Sequence, residues 1–239
     1  MNLSDYVLKF LQEKKIKNVF LITGGAISFM VDAFSRNKKI KYTCVAHEQA
    51  AAMMADSYSR VGPNLSCTMV TSGPGATNLI TGIACSWFDS IPAIHITGQV
   101  NSYEKQGAQK GTKKTRQIGF QETDIVSITK PITKFSYQLK NPNEIKYILE
   151  KATYLAQSKR PGPVVIDIPM DFQKAIIKPS KLKSFKIPSK INSKNNLFKS
   201  TNYLTKLLKK SSRPVILLGG GIKYSKSEKK IVNFIKKFN

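Results

Sequence analysis

One acidic residue, Glu48, lies where a carboxylate could take part in acid–base chemistry. It opens a predicted helix directly after a predicted strand, in the stretch VAHEQAAAMM. A glutamate in the first turn also interacts favourably with the helix dipole, which is a purely structural interpretation. Its neighbours are apolar, however, and ligands bind at the carboxyl ends of strands in open α/β sheets. Glu48 is therefore a candidate catalytic residue, and both interpretations stay open.

Three strand-to-helix turns are rich in glycine: Gly24-Gly25, Gly73-Pro74-Gly75 and Gly219-Gly220-Gly221. The N–H groups at a helix start can bind an anion. The alternative is that glycine serves tight turns and close packing. None of the three turns has the GxGxxG or GxxxxGK[ST] spacing of a nucleotide site. A nicotinamide-dependent Rossmann oxidoreductase is disfavoured on this ground, and also because no acidic residue ends the second predicted strand.

The elements that position these residues alternate between strands and helices. Apolar runs predict strands over 18–23, 41–46, 65–71, 93–98 and 163–169. Helices are predicted between them, the first running to about residue 15 with Ser4 as its N-cap. This alternation predicts an α/β fold with a parallel sheet and helices on both faces. A polar loop, 101–119, interrupts the pattern, and we expect it to be locally unstable.

The chain divides by composition into three parts. Residues 1–173 form the first α/β unit, and a Lys-, Ser- and Pro-rich stretch over 174–199 is predicted as a linker. Residues 200–239 are predicted to begin a second, incomplete α/β unit with one strand over 214–221. A single strand cannot form a sheet by itself.

Length and composition exclude several classes of protein. The chain has 239 residues, of which 41% are hydrophobic, 9% aromatic and 22% charged. These proportions are typical of globular domains and unlike those of disordered or collagen-like chains. No apolar stretch approaches the roughly 18 residues of a transmembrane helix, and the N-terminus lacks the regions of a secretory signal. We therefore expect a cytoplasmic protein without a membrane partner.

Positive charge is concentrated towards the C-terminus. The formal net charge is +25, and residues 174–239 carry 18 Lys or Arg against one Glu, hence +17. One interpretation is a non-catalytic basic module that binds an anionic partner such as nucleic acid. The other is a solvated, Lys-rich surface. We favour the second and expect no nucleic-acid partner, because Arg, which base and phosphate recognition prefers, is rare among the basic residues.

The cysteines do not suggest a metal site. Cys44, Cys67 and Cys85 lack the CxxC spacing of zinc ligands, and the chain has only two histidines. All three cysteines lie in apolar stretches. We predict buried, reduced thiols, in agreement with a cytoplasmic location.

Five segments together resemble a known family. They are TGGAISFMVDAF, VAHEQAAAMMADSYSR, TSGPGATNLITGIACSWFDSIPAIHITGQV, GFQETDIVSITKPITK and SKRPGPVVIDIP. They resemble the N-terminal pyrimidine-binding domain of thiamine-diphosphate enzymes, and within these the acetolactate synthase catalytic subunits. The resemblance covers about residues 3–173, and residues 200–239 resemble the start of that family's middle domain. Nothing in the chain resembles the family's third domain, which binds Mg²⁺ and the diphosphate.

The resemblance implies roles for the candidate residues near the cofactor's aminopyrimidine ring. Glu48 matches the glutamate that hydrogen-bonds this ring of thiamine diphosphate and shares a proton with it. Gly25 and Pro74 match positions close to the ring, where a larger side chain would obstruct it. Asn78 falls in the same loop-to-helix segment.

Four further residues match positions around the substrate and a second cofactor. Phe120 and Gln121 match residues that line the substrate end of thiamine diphosphate. Ser90 and Arg160 match positions that lie near FAD in the flavin-containing members. A guanidinium also pairs well with a diphosphate. For Ser90, an ordinary role at a helix end is the alternative.

Two departures from the family pattern touch the substrate entrance. The segment between Val100 and Phe120 is about ten residues longer than in the usual acetolactate synthases, and Gly119 replaces their usual Ala. Met170 stands where they usually carry a Lys. Similar long-loop members are associated with surface-polysaccharide or modified-sugar pathways, so a keto-sugar acceptor is an alternative to pyruvate or 2-ketobutyrate.

The resemblance therefore implies a thiamine-diphosphate-dependent carboligase of the acetolactate synthase type, acting in branched-chain amino acid biosynthesis. It decarboxylates a 2-keto acid such as pyruvate and transfers the two-carbon unit to a keto acceptor. The active site would be shared in a homodimer or tetramer, or with a separate chain that carries the diphosphate-binding domain. We expect the chain alone to be inactive and to bind the cofactor weakly. Whether it is a truncated product, half of a split enzyme or a fragment stays open.

Overall fold

Two units of unequal size make up the described chain. A computed structural model describes residues 1–62, 65–108, 115–189 and 194–238, with the backbone alone at 194–197 and 238. The first unit is Met1–Phe185, and the second begins at Lys186.

Six strands form the sheet of the first unit, and every pair of neighbouring strands is parallel. They are β1 (Asn18–Leu21), β2 (Lys41–Cys44), β3 (Ser66–Val70), β4 (Ala93–Gln99), β5 (Phe135–Gln138) and β6 (Val164–Pro169). Their order across the sheet is β2-β1-β3-β4-β6-β5. The predicted α/β class with a parallel sheet is therefore confirmed. The sequence does not predict β5, because this edge strand reads FSYQ and is only partly buried, without an apolar run.

Helices cover both faces of the sheet. On one face pack α1 (Leu3–Glu13), α2 (Ser28–Arg36) and α7 (Ile145–Gln157), and on the other α3 (Glu48–Val61), α5 (Ile80–Phe88) and α6 (Ile125–Thr129). Two short helices, α4 (Pro74–Thr77) and α8 (Met170–Gln173), follow β3 and β6. Since side chains alternate along a strand, Ile94 and Ile96 face the first group, while His95 and Thr97 face the second. Of the helices in the described ranges, none has the length and apolar character needed to span a bilayer.

The start of α1 differs from the prediction. Its N-cap is Asn2, whose side chain accepts the Asp5 N–H at 2.7 Å. The prediction of Ser4 as the cap is therefore wrong. Ser4 is buried within the helix, and its hydroxyl donates to the Gln173 carbonyl at 2.9 Å. A tertiary contact thus uses the hydroxyl that a local cap would have needed.

Residues 174–185, which the sequence assigns to a linker, pack on the first unit. The Ala175 carbonyl accepts the Leu3 N–H at 3.0 Å. Ile177 and Leu182 are only 2% and 8% exposed. The packed part of the first unit therefore continues well beyond residue 173.

The second unit is helical in its described residues. It contains α9 (Lys194–Lys210), α10 (Gly221–Tyr224) and α11 (Glu228–Ile235). The prediction of a strand over 214–221 is wrong, since none forms there. Val215 and Leu217 are 94% and 96% exposed. A strand needs a neighbour with which to pair, and the described residues of this unit provide none.

The three cysteines are free thiols, but they differ in exposure. Cys67 is buried in β3 and Cys85 is partly buried, whereas Cys44 is exposed. The prediction of buried thiols is therefore wrong for Cys44. This residue ends β2, an edge strand whose side chains are mostly exposed.

Candidate functional site

The carboxyl ends of β1, β2 and β3 lie side by side at one edge of the sheet. β1 is the central strand of the three, pairing with β2 on one side and β3 on the other. The chain therefore runs outward from β1 to β2 and returns across β1 to reach β3. Such a reversal opens a crevice at the carboxyl edge, where open α/β sheets bind ligands. The segments that come after these strands carry Gly24-Gly25, Glu48 and the turn Ser72-Gly73-Pro74-Gly75, called the SGPG turn below.

Glu48 and Asn78 meet at this crevice. Glu48 begins α3, whose N-cap His47 accepts the Gln49 N–H at Nδ1 (3.1 Å). Asn78 follows α4, and its Nδ2 donates to Glu48 Oε2 at 2.9 Å. Glu48 Oε1 lies beside Gly75, 3.3 Å from where a Cβ on that glycine would stand. The structure thus brings together two predicted residues that lie in separate segments of the sequence.

The surroundings of Glu48 are more open than the sequence predicts. Its side chain is half-buried, and Ala46 and Ala50 beside it are exposed. Met53, one turn further along α3, is 39% exposed. Only one face of α3 packs on the sheet, so residues on the outer face have no cover from the described chain. The apolar enclosure expected around Glu48 is not formed by the described residues of one chain.

The two glycines of the first turn have different surroundings. A Cβ on Gly24 would stand 2.5 Å from Thr71 Cβ, so close packing accounts for that glycine. A Cβ on Gly25 would meet no described atom within 4 Å. Neither residue has a positive φ. The Ala26 N–H donates to Thr71 Oγ1 at 3.2 Å and holds the turn in place. Gly25 therefore borders open space, and neither packing nor backbone conformation requires glycine there.

The SGPG turn touches the segment that carries Gln121. Gly73 has a φ of +61°, and a Cβ on it would stand 2.6 Å from Gln121 Cβ. Gln121 also lies in the left-handed region, with a φ of 59°. Pro74 begins α4, where its restricted φ suits a helix start. Phe120, next to Gln121, is 82% exposed. Pro74 and Gln121 therefore lie at the crevice with Glu48.

Gly119 and Met170, the two departures from the family pattern, also lie near the carboxyl edge. A Cβ on Gly119 would stand 2.7 Å from Val100 Cβ, so the packing of Val100 explains why glycine occurs there. Met170 directly follows β6 and begins α8. The structure shows no polar contact that would explain methionine at this position.

Ser90 and Arg160 lie at the opposite edge of the sheet. They precede β4 and β6 and so lie at the amino ends of these strands. Arg160 Nε donates to Ser90 Oγ at 2.6 Å. A cleft of about 420 Å³ lies here, lined by Trp87, Phe88, Lys134, Lys159, Arg160 and Pro161. The structure thus joins these two predicted residues to each other but does not bring them to Glu48.

The conformation of Ser90 supports a role at a helix end. It follows Asp89, the C-cap of α5, and has a φ of +60°. Its N–H donates to the Trp87 carbonyl at 3.3 Å. A left-handed residue directly after the cap is a common way to end a helix. Its hydroxyl also accepts the hydrogen bond from Arg160, so Ser90 orients this guanidinium as well.

Thr71 and Gln173 position the turn at the crevice, although no pattern in the sequence predicted this role for them. Thr71 Oγ1 accepts a hydrogen bond from the Ala26 N–H, and the Thr71 side chain packs against Gly24. Gln173 is fully buried, and its Nε2 donates to the carbonyls of Ala26 (2.6 Å) and Ile168 (3.0 Å). The position of Thr71 directly before SGPG is a signal that could have identified it. Gln173 has no local signal, because Ala26 is distant in sequence.

Comparison with known proteins identifies the family. The profile of "Thiamine pyrophosphate enzyme, N-terminal TPP binding domain" matches residues 1–128, which is more than half of the chain. The chain belongs to this family. The matched range contains β1 to β4 and the crevice at their carboxyl edge, and the family's description names thiamine pyrophosphate as the ligand. The resemblance inferred from the sequence is therefore confirmed, and so is its cofactor, thiamine diphosphate.

Curated relatives of this thiamine pyrophosphate enzyme domain include several acetolactate synthase large subunits. That of Buchnera aphidicola subsp. Acyrthosiphon pisum is 39% identical over 99% of the chain and 40% of the relative. That of Lactococcus lactis subsp. lactis is 36% identical over 98% of the chain and 39% of the relative. The isozyme 3 large subunit of Escherichia coli is 35% identical over 91% and 37%. The chain thus spans about two fifths of the length of these relatives.

Proposed function

We propose that this chain provides the aminopyrimidine side of an acetolactate-synthase-type carboligase. Such an enzyme decarboxylates a 2-keto acid, here pyruvate, and transfers the two-carbon unit to a keto acceptor. The observation that carries the proposal is the Glu48–Asn78 hydrogen bond at the crevice that Gly25 also borders. The acetolactate synthase relatives match almost the whole chain, which also supports it.

In this proposal Glu48 is the proton-handling group. Asn78 donates to Oε2 and fixes the orientation of the carboxylate. Among the described residues, no side chain donates to Oε1, so this oxygen can share a proton with a ring nitrogen of a ligand. When bound, thiamine diphosphate supplies the thiazolium that accepts the electron pair released by decarboxylation. The carboxyl group of Glu48 then holds or releases the proton at the aminopyrimidine.

Gly25 and Pro74 would shape the space for the aminopyrimidine ring. The open space beside Gly25 accommodates a flat ring because no Cβ projects into it. Thr71 and Gln173 hold the turn that carries Gly25, so the backbone there is fixed before a ligand arrives. A binding position that is already formed saves the ordering cost of association.

Phe120 and Gln121 are proposed to line the substrate end of the same site. Gln121 contacts Gly73, directly before Pro74. The exposed ring of Phe120 is available for a substrate or for a partner subunit. Met170 at the same edge removes the cation that the usual synthases place there. This loss supports an acceptor other than pyruvate or 2-ketobutyrate, such as a keto sugar from a surface-polysaccharide or modified-sugar pathway.

A partner is proposed to complete the site. In the described ranges, no group of three or more His, Cys, Asp or Glu side chains could hold a metal ion. Mg²⁺ and the diphosphate group would be held by a second copy in a homodimer or tetramer, or by a separate chain with a diphosphate-binding domain. The exposed face of α3 beside Glu48 supports a shared site, because a carboxylate that handles protons works better when water is excluded.

Two features at the amino edge of the sheet support a proposed flavin site. The Arg160 guanidinium suits a diphosphate, and Trp87 and Phe88 offer apolar surface for a flat ring in the same cleft. Burial, with the neighbouring charge of Lys159, lowers the pKa of Lys134 at this cleft. We propose that Arg160, oriented by Ser90, would hold FAD here, and we assign no catalytic step to it.

The test of the proposal is Glu48→Gln in an assembled enzyme that contains this chain and a diphosphate-binding domain. Glutamine keeps the hydrogen bond to Asn78 but cannot exchange a proton. We expect exchange of the cofactor's C2 proton, followed by NMR, to slow by roughly 10²–10⁴-fold. Glu13→Gln, on the exposed end of α1, is the control and should leave exchange unchanged. Wild-type exchange rates in Glu48→Gln would remove Glu48 from the mechanism.

A further inference from the structure

The carboxylate of Glu122 joins the two sides of the loop between Val100 and Phe120 at its base, where the Gln106 side chain also donates to the Thr115 carbonyl. Glu122 Oε1 accepts the Gln106 N–H at 2.7 Å, and Glu122 Oε2 accepts the Ile118 N–H at 3.1 Å. The two amides belong to opposite ends of the loop. One side chain with two acceptor oxygens therefore joins the place where the loop leaves the unit to the place where it returns.

The same segment is anchored from the sheet. Gln99 Nε2 donates to the Thr123 carbonyl at 2.8 Å and to the carboxylate of buried Asp167 at 3.0 Å. The Gln99 amide is thus oriented by a fixed group at the end of β6. The segment directly after Gln121 is therefore bound on two sides: Gln99 connects Thr123 to the sheet, and the side chain of Glu122 connects it to the loop.

Gln121 adopts a backbone conformation that needs such support. Its φ of 59° is unfavourable for a residue with a side chain. Strained residues persist where the surrounding structure imposes the conformation. The Glu122 N–H donates to the Gly119 carbonyl at 3.1 Å, which closes the turn around Gln121. Within this turn, Gln121 is pressed against Gly73.

We infer that Glu122 is a positioning residue: its carboxylate closes the loop at Gln106 and Ile118 and thereby holds Gln121 against Gly73. The carboxylate is needed rather than a neutral amide, because both amides are donors and a glutamine offers only one acceptor oxygen. The benefit of a fixed Gln121 to substrate binding rests on the proposed function. The closure of the loop does not.

The experiment is NMR on the isotope-labelled full chain without cofactor, comparing wild type, Glu122→Gln and Glu122→Ala. In the alanine variant we expect amide exchange at Gln106 and Ile118 to accelerate at least tenfold. The nuclear Overhauser effect between Gly73 Hα and Gln121 Hβ should disappear. In the glutamine variant one of the two amides should keep its protection. Asp124→Asn is the matched control, since Asp124 caps α6 at Ser127 and should leave these signals unchanged.

A spectroscopic signature separates this role from general stability. The amide proton shifts of Gln106 and Ile118 should both change in Glu122→Gln, because both amides donate to one carboxylate in the wild type. Amide exchange at Ser66–Val70 in β3 reports global unfolding. If this exchange accelerates in the alanine variant, that variant is destabilised as a whole, and the glutamine variant then tests the inference.

Two results would overturn the inference. In the first, the amides of Gln106 and Ile118 both keep wild-type exchange in the glutamine variant. In the second, both lose protection in the alanine variant while the Gly73–Gln121 contact persists. Because no cofactor is present, neither result depends on the proposed function. A separate titration with thiamine diphosphate and Mg²⁺ tests that function, and its failure would leave the loop closure intact.

Discussion

Two buried titratable residues lie on the α3-facing side of the sheet, and burial shifts their pKa values in opposite directions. His95 in β4 is fully buried, and its Nδ1 lies 2.9 Å from Thr68 Oγ1. Burial lowers the pKa of His95 to about 3. Burial also raises the pKa of Asp167 in β6 to about 6, although donors at Thr97, Gln99 and Gln138 favour its charged form. In both groups, burial disfavours the charged form relative to the unfolded chain.

These shifts give opposite pH dependences of stability. Between pH 6.5 and about 3 the unfolded chain holds a proton on His95 that the folded chain lacks, so stability falls as the pH falls. Between pH 3.8 and about 6 the folded chain holds a proton on Asp167 that the unfolded chain lacks, so stability falls as the pH rises. From about pH 4 to 6 the two contributions cancel.

The variant Asp167→Asn should remove this cancellation. We expect the free energy of unfolding to fall more steeply than in the wild type as the pH is lowered from 6 to 4, by about 1.4 kcal/mol per pH unit. Urea denaturation at pH 4, 5, 6 and 7 measures this slope. His95→Gln, which keeps a polar group near Thr68, is the complementary variant and should change the slope in the opposite sense. Wild-type slopes in both variants would contradict the assignment.

Gly24 and Gly25 form a matched pair for a second prediction. Gly24→Ala should destabilise the chain by about 1–3 kcal/mol, because its Cβ would overlap the side chain of Thr71. Gly25→Ala should leave stability unchanged or slightly raised, because its Cβ enters open space. Thermal denaturation distinguishes the two. In an assembled enzyme, we expect Gly25→Ala to weaken binding of thiamine diphosphate. Wild-type affinity there would mean that the open space does not belong to the cofactor.

At the scale of elements, the stretch 101–119 has a structured beginning. Residues Ser102–Glu104 form a 3₁₀ turn with a capping box between Asn101 and Glu104. Asp171 accepts both the N–H (2.9 Å) and the hydroxyl (2.6 Å) of Ser102. The expected instability of the loop therefore does not extend to its first residues. Residues 109–114 lie outside the described chain, and for them the expectation stays a prediction.

Amide hydrogen-exchange rates should differ between the beginning of this stretch and its later residues. We expect the amide of Ser102 to be protected and those of residues 116 and 117, which are exposed, to exchange quickly. In Asp171→Ala, exchange at Ser102 should accelerate, while Ser66–Val70 in β3 should keep the wild-type rate. Lys174→Ala, which removes a cation near the ring of Phe29, is a control at the same end of the unit. Uniform protection across the stretch would contradict this division.

At the scale of the whole molecule, the first unit ends at Phe185. Its ring lies 5.6 Å from the rings of both Tyr147 and Tyr154 on α7. Its N–H donates to a carboxylate oxygen of Glu150 on the same helix, at 2.7 Å. These contacts show where the packed chain ends more clearly than composition does. Composition assigns 174–185 to a linker because of its lysines and Pro179, yet Ile177 and Leu182 in this stretch are buried.

Truncation tests this boundary. A chain that ends at Phe185 should unfold with the stability that the first unit has in the full chain. A chain that ends at Gln173 loses the burial of Ile177 and Leu182 and should be less stable by about 3–6 kcal/mol, at about 1.5–3 kcal/mol for each side chain. Urea denaturation compares the two. Equal stability of both truncated chains would show that residues 174–185 behave as a linker.

The sequence by itself determined the local parts of this protein. Apolar runs predicted five of the six strands, and glycine pairs predicted the turns after β1 and β3, because burial and backbone freedom leave local signals. The segments around Glu48, Pro74 and Gln121 identified the family. The spacing of these segments along the chain does not show which of them are in contact in the fold. A hydrogen bond between Glu48 and Asn78 could therefore be expected only through the resemblance.

Tertiary structure alone decided the order of the strands and the contacts that this order creates. Placing β1 between β2 and β3 brings Gly25, Glu48 and Pro74 to one edge, while Ser90 and Arg160 pair at the other. Long-range contacts also made Asn2 the cap of α1, gave Gln173 its role and drew residues 174–185 onto the unit. The physical reason is the same in each case. These features depend on partners far apart in sequence, and local residue preferences cannot specify which partners meet.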